Sequence, residues 1–228
     1  MNVILHEELG STSDEARRLA QGGAPHGTVV VARRQTAGRG RLGRVWVSPV
    51  GNLYASFLLR PGVAAARVPE IGFIAAVSVA DAVDAALAAA AAALKWPNDV
   101  QIAGAKVAGI LVEAESDGVV IVGTGVNVGF APLDLPYPVT SLAAHGSAAT
   151  VDAVLQALAA AFERHLAAWS AAGFGPVREA WLRRGPALGQ AVQLRTGQQG
   201  DFAGLDADGA LLLATPAGVR RVVVGEVT

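Results

Sequence analysis

The chain contains no cysteine. That excludes disulfides, thiolate metal sites and a cysteine nucleophile, and it fits a reducing, cytoplasmic setting. Lysine is almost as scarce: of the 18 basic residues only Lys95 and Lys106 are lysine, and the rest are arginine. Net charge is nearly absent, at −1. Such a chain has no general field for holding DNA or an anionic membrane, so neither is expected as a partner. There is no long hydrophobic run other than the alanine-rich stretch Ala85–Leu94, which reads as part of a buried helix rather than a membrane span. The first residues, MNVILHEELGSTSDE, lack the basic and apolar regions of a secretory signal. With no Cys/His cluster and no His-Glu-x-x-His helix, no protein-built metal site is expected.

What is present is a 228-residue chain that is 52% hydrophobic, enough for one core and a small second domain. Patterning predicts strands at Val3–Leu5, Thr28–Ala32, Asn52–Leu59, Leu94–Trp96, Val100–Ile102, Val107–Ala114 and Val119–Val128. It predicts helices at Ser11–Gln21, Pro69–Leu94, Asp152–Ala172 and Gly175–Arg183, the first with Thr12 and Glu15 as a capping box. After Arg184–Pro186 the pattern changes to four short strands separated by Gly-containing turns, a small all-β module.

Residues 38–45, GRGRLGRV, match two glycine-loop patterns. A dinucleotide fold needs a helix directly after the loop and an acidic residue about 20 positions on. Here VWVSPVGNLYASFLL and FLLRPGVAA occupy those places. A kinase needs a His-Arg-Asp loop and Asp-Phe-Gly, and neither occurs, since Asp201-Phe202 is followed by alanine. The arginines are the informative letters. Arg39, Arg41 and Arg44 repel one another in a short loop unless an anion comes between them. The loop therefore reads as a lid that orders when a phosphate or carboxylate arrives.

Two further stretches carry chemistry. KWPND (95–99) is by itself an ordinary turn, but it follows one of the two lysines and precedes the other, in KVAGILVE (106–113). A lysine kept where arginine is otherwise used marks a place where a compact ammonium is needed. Gly109 would let a ligand lie against the strand backbone. GTGVNVG (123–129) puts Asn127 near a strand end, as ligand contact or as strand terminator.

In order, GSTSDEA, RRQTAGRGRLGRVWVSP, KWPNDV, KVAGILVE and GTGVNV resemble the biotin–protein ligase family, from about residue 7 to the end, where QAVQLRTG, GALLLAT and GEVT are similar to its C-terminal module. The pair GRGRLGR and KWPND, with a lysine seven residues on, carries the specificity; the related lipoate ligases share the fold but lack this pair. The resemblance implies an α+β fold: a mixed β-sheet with packed helices over residues 1–184, akin to class II aminoacyl-tRNA synthetases, and an SH3-like β-barrel over 185–228. It implies that biotin and MgATP give biotinyl-5′-AMP, which then acylates a lysine of a biotin carboxyl carrier domain. A monofunctional enzyme is expected, because no helix-turn-helix region precedes the motifs; a homodimer is left open.

The resemblance also assigns residues. Lys106, Arg41 and Asp99 are the catalytic candidates, with Asp99 orienting or deprotonating the incoming lysine. Ser11, Thr12, Ser13, Gln35, Arg39, Gly40, Arg41, Lys106 and Gly109 are expected at biotin. Arg39, Arg41, Trp46, Asn98, Lys106 and Asn127 are expected at ATP or the adenylate. Ser13 departs from the family's asparagine, and the segment after GTGVNV lacks a tryptophan, leaving Leu142 as the candidate to pack on adenine. A biotin-binding sensor without turnover and a lipoate or octanoate ligase are the rival readings.

Overall fold

Leu53–Leu59 (LYASFLL) is buried along its whole length, which requires a sheet covered on both faces. In the computed structural model, which describes residues 1–115, 117–133 and 135–227, this segment is β3 of a seven-stranded sheet. The other strands are β1 (Asn2–Leu9), β2 (Thr28–Gln35), β4 (Ala92–Lys95), β5 (Asp99–Ile102), β6 (Ala105–Ala114) and β7 (Val120–Val126). They lie in the order β1-β2-β3-β7-β6-β5-β4. β1 and β2 run parallel and the remaining neighbours antiparallel, so the sheet is mixed.

Strand alternation sends residues to two different cores. Leu53, Ala55, Phe57 and Leu59 join the larger core beneath α2 (Val68–Leu87) and α3 (Val151–Ala172). Phe57 stacks on Phe162 of α3 with ring centroids 4.7 Å apart. Leu58 points the other way, to a smaller core with Val30 and Ile121, covered by Ala16 and Ala20 of α1 (Thr12–Gln21). α1 is short, so much of its face of the sheet is left for other elements.

The C-terminal sheet is antiparallel, in the order β11-β10-β9-β8, with β8 (Ala191–Gln193), β9 (Gln199–Leu205), β10 (Leu211–Thr215) and β11 (Gly218–Val222). It packs on the first unit through aromatic contacts. Trp181 of α4 (Gly175–Leu182) lies 5.9 Å from Phe73 of α2 and 6.4 Å from Phe202 of β9. Gly209 is required at its turn: its φ is +88°, and a Cβ there would meet the Phe73 ring at 2.5 Å.

One expected element is shorter than its sequence suggests. The helix expected over Pro69–Leu94 ends at Leu87, with Ala88 in the left-handed region at φ 52°. An alanine run favours helix throughout and marks no end. Tertiary contacts supply the end: the Asp84 carboxylate accepts the Ala91 and Ala92 N–H groups at 2.8 Å each, and Leu94 N donates to Arg184 O at 2.8 Å. That turn frees Ala92–Lys95 to pair with β5 as an edge strand. β1 is also longer than the expected Val3–Leu5.

Asp84 further pairs with Arg184, which also reaches Asp81 at 2.6 Å. Asp84→Ala leaves two backbone donors and a half-buried guanidinium without this acceptor. It is expected to destabilise the fold by about 2–4 kcal/mol. Urea unfolding should show this as a lower midpoint at unchanged slope, and an unaltered midpoint contradicts the role.

Candidate active site

On the α1 face, the middle strands β6 and β7 carry glycine where their neighbours carry larger residues. Gly109 pairs with Gly125, and Gly123 pairs with Leu111 two residues along. A Cβ on Gly123 would lie 2.9 Å from Ser13 Oγ, and one on Gly125 would lie 2.5 Å from Trp46 Cε2. A Cβ on Gly109 would meet Trp46 Cζ3 at 3.1 Å and Lys106 Nζ at 3.3 Å. The three glycines thus form the floor of a trough into which other elements descend.

One end of the trough is a chain of hydroxyl and amide groups. Ser11, Thr12 and Ser13 are buried at the start of α1. The Thr12 N–H and hydroxyl donate to Gln35 Oε1 at 2.8 and 3.1 Å, and Gln35 Nε2 donates to Ser48 Oγ at 3.0 Å. Ser56 Oγ donates to Thr12 Oγ1 at 2.8 Å and lies 3.1 Å from Ser13 Oγ. The expected capping box is not formed. Ser11 is the N-cap, without a side-chain capping bond, so Thr12 sits inside the helix with its hydroxyl turned to Gln35 and Ser56. Glu15 binds Arg18 instead.

The other end is charged. A β-bulge opposite Val100/Gln101 breaks the alternation of β6, so Val107 and Ala108 both join the larger core and Lys106 turns to the trough. Its Nζ lies 2.7 Å from Asp99 Oδ1, 5.5 Å from the Trp46 ring and 5.7 Å from the Tyr137 ring. Asn98 follows a cis Trp96–Pro97 peptide. Its amide donates to Ile110 O at 2.8 Å and its Oδ1 accepts from Arg41 Nη1 at 3.0 Å.

The 36–48 loop roofs the trough as a small hairpin, pinched by an Arg39–Val45 bridge and a Gly40 N to Arg44 O bond of 2.8 Å, with Leu42 at φ 56°. Repulsion among its arginines called for an external anion. The fold separates them onto internal acceptors instead. Arg39 makes a two-pronged pair with Asp14, Arg41 takes Asn98 and the Gly225 carbonyl, and Arg44 takes both oxygens of Glu226. Hydrogen bonding from Arg39 holds the Asp14 carboxyl below its usual 3.8. At Glu226 burial pushes upward, but Arg44, Arg195 and Arg41 together hold the carboxyl below 4.5. Both pairs are therefore intact above those ordinary values and are lost as pH falls through the depressed ones.

The structure brings Ser11, Thr12, Ser13, Gln35, Arg39, Gly40, Arg41, Trp46, Asn98, Asp99, Lys106 and Gly109 around one small cavity of about 60 Å³. That is well below the roughly 300–1,000 Å³ of ligand pockets. The Trp46 indole is the reason: it lies on the glycine floor beside Lys106, with its Nε1 buried and unpartnered. A wider groove of about 670 Å³ runs from the same Asn98, Asp99 and Lys106 along β4 and β8.

Asn127 stands apart. It is 3% exposed, and its amide donates to Thr140 O at 3.0 Å. Leu142, the candidate to pack on adenine, is wholly buried in the larger core and lines no part of the cavity, whereas the Trp46 and Tyr137 rings do. Sequence reasoning also missed Gly123, Gly125, Ser56, Asp14 and Glu226 as parts of the site. The two glycines had a visible signal, being glycines inside a strand; the others gain meaning only from partners distant in the chain. Among the described residues no three His, Asp or Glu side chains converge as metal ligands would, and no helix is long and apolar enough to cross a membrane.

Comparison with known proteins agrees with this geometry. The sequence profile of the Biotin/lipoate A/B protein ligase family matches residues 9–130, and that of the Biotin protein ligase C terminal domain matches 187–228. The chain is 42% identical to a biotin–[acetyl-CoA-carboxylase] ligase of Paracoccus denitrificans, over 95% of this chain and 96% of that one. It is 36% identical to the bifunctional ligase/repressor BirA of Bacillus subtilis, over 99% of this chain and 73% of that one. The biotin protein ligase of Aquifex aeolicus, solved in complex with biotin and ATP, superposes with a TM-score of 0.87 at 31% identity, covering 100% of this chain and 97% of that one. The chain belongs to the biotin/lipoate A/B protein ligase family and carries that family's biotin protein ligase C-terminal domain.

Proposed function

We propose that the protein ligates biotin to a lysine of a biotin carboxyl carrier protein in two steps, using ATP as its Mg²⁺ complex. In the first, a carboxylate oxygen of biotin attacks the α-phosphorus, the bond to the β-phosphate oxygen breaks, and pyrophosphate leaves. In the second, the neutral amine of the carrier lysine attacks the acyl carbon of biotinyl-5′-AMP, and AMP leaves as the amide forms. The observation that carries the reading is Lys106 Nζ, held by Asp99 at 2.7 Å, between a hydroxyl-lined pocket and an open groove.

An ammonium has three donors. Lys106 can keep Asp99 and still hold one oxygen of the biotin carboxylate and one of the α-phosphate. A fixed cation at that point stabilises charge developing at phosphorus. Arg41, next to Asn98, is placed to hold the adenylate phosphate. The Ser11–Ser13 turn and Gln35 offer donors and acceptors to a polar ring system at the far end. Asp99 borders the groove by which a carrier lysine would arrive, which suits a role in orienting that amine or taking its proton. Asn127 acts on the nucleotide side by holding the 138–142 segment in place. All of these side chains come from one chain.

Lys106→Ala should slow biotin-dependent exchange of pyrophosphate into ATP by at least about 100-fold. Arg41→Gly should let the adenylate escape, so that pyrophosphate release outruns the gain in carrier mass. Carrier biotinylation at the wild-type rate in both variants would falsify the site. Biotin, and not lipoate, should raise the thermal midpoint, since a ligand at 100 times its Kd adds about 2.7 kcal/mol.

Entry of biotin requires the Trp46 indole to leave the glycine floor. The other three tryptophans are buried, at 4% exposed or less. Biotin should therefore change the emission of the wild type and leave that of Trp46→Phe nearly constant. An equal change in both proteins places the movement elsewhere.

A further inference from the structure

Asp14 falls inside the GSTSDEA stretch without an assigned role there, yet it holds the neck of the roofing loop. Arg39 Nη1 donates to Asp14 Oδ2 and Nη2 to Asp14 Oδ1, both at 2.6 Å, a parallel fork in which neither partner can rotate without losing a bond. Asp14 stands on the first turn of α1, directly after Ser13, so it is fixed to the element that lines the cavity. Its carboxylate is steadied from behind. Arg17 Nη1 donates to Oδ1 at 2.7 Å, and Arg17 is itself anchored to Glu113 at 3.1 Å and Glu115 at 2.7 Å. The loop side is equally constrained, because Arg39 is the residue bridged to Val45 at the base of the hairpin. Whatever fixes Arg39 therefore fixes the strip that carries Arg41 and leads into Trp46.

We propose that Asp14 is a positioning residue that latches the 38–46 loop over the biotinyl-adenylate through Arg39; the inference rests on the ligase reading above, since the adenylate is what the latch retains. It divides the labour of the loop arginines. The Arg39 guanidinium is bonded to the Asp14 carboxylate and closes the roof, whereas Arg41 meets only the neutral Asn98 amide and Gly225 carbonyl and keeps its charge for the ligand. The pair is open to solvent on one side, with side-chain exposures of 37% and 48%, so its strength is that of a modest surface network. That suits a contact that must open in every turnover, and a fully buried pair would not.

The test uses the full chain. Hydrogen exchange is followed at residues 38–46 without substrates, and release of biotinyl-AMP is followed after the first step. Asp14→Asn should speed both by about three- to ten-fold, with helical content unchanged. Arg39→Gln should speed both by a similar factor, and adding Asp14→Asn to it should change neither by more than about two-fold further, because the same fork is already lost. Unchanged loop exchange in Asp14→Asn overturns the latch. So does a double variant in which the two single effects multiply, since independent effects at the helix start and in the loop would add rather than saturate. If the wild type forms no adenylate, the ligase reading fails; the exchange measurement needs no substrate and still decides whether Asp14 holds the loop.

Discussion

The site depends on close approach to a bare strip of backbone. Gly109, Gly123 and Gly125 occupy one face of β6 and β7, where side chains of ordinary size would fill the sheet surface as they do on the opposite face. Each glycine in a strand costs about 0.5–1 kcal/mol relative to alanine. The return is depth. Ser13 comes down on Gly123, the Trp46 indole on Gly125, and the Lys106 stem runs over Gly109. α1 uses the same device at its other end, where Ala16 and Ala20 let the helix sit close to Val30, Leu58 and Ile121. A short helix with small contact residues leaves the trough open, while α2 and α3 close the far face completely.

Charge is arranged around that trough so that no arginine of the loop lacks an acceptor. Asp14 comes from α1, Asn98 from the turn before β5, and Gly225 and Glu226 from the C-terminal segment. These three directions hold the roof without any of the acids entering the glycine floor. Lys106 is the cation that does enter it. Its partner Asp99 sits at the junction with the outer groove, so the ion pair stands between the place where an acid could be activated and the place where an amine could come in.

Much of this was legible in the sequence, for identifiable reasons. KWPND and KVAGILVE are a turn and a strand adjacent in the chain, so local reading places Lys95 to Gly109 together, and the scarcity of lysine drew attention to Lys106. Strands such as TVVVA and LYASFLL declare themselves through β-branched and aromatic residues. The end of α2 did not, because six consecutive alanines from Ala88 to Ala93 carry no period and the stop is written in Asp84 and Arg184. Thr12 looked like a cap because Ser, Thr and Glu at that spacing usually are one. Its true partners, Gln35 and Ser56, are 23 and 44 residues away. The repulsion among loop arginines was real, but its relief came from two acids, an amide and a carbonyl that nothing in GRGRLGRV could reveal.

The C-terminal sheet is more than an appendage to the first unit. Its own core is small, and it rests on α2 and α4 through Phe202, Gly209 and Trp181. Two contacts give it a larger part. Trp96 Nε1 donates to Gly209 O at 3.2 Å, so the turn that presents Asn98 and Asp99 is pinned to the second sheet. Arg41 and Arg44 of the roof reach Gly225 and Glu226, beyond β11. The floor of the site is thus fixed by the first sheet alone, whereas the position of its roof and of its charged end is shared between the two. A shift of the second sheet would move Asn98 and the roof together and leave the glycines where they are. Docking of the two units is therefore part of how the site is assembled, because it sets the distance between the loop arginines and Lys106.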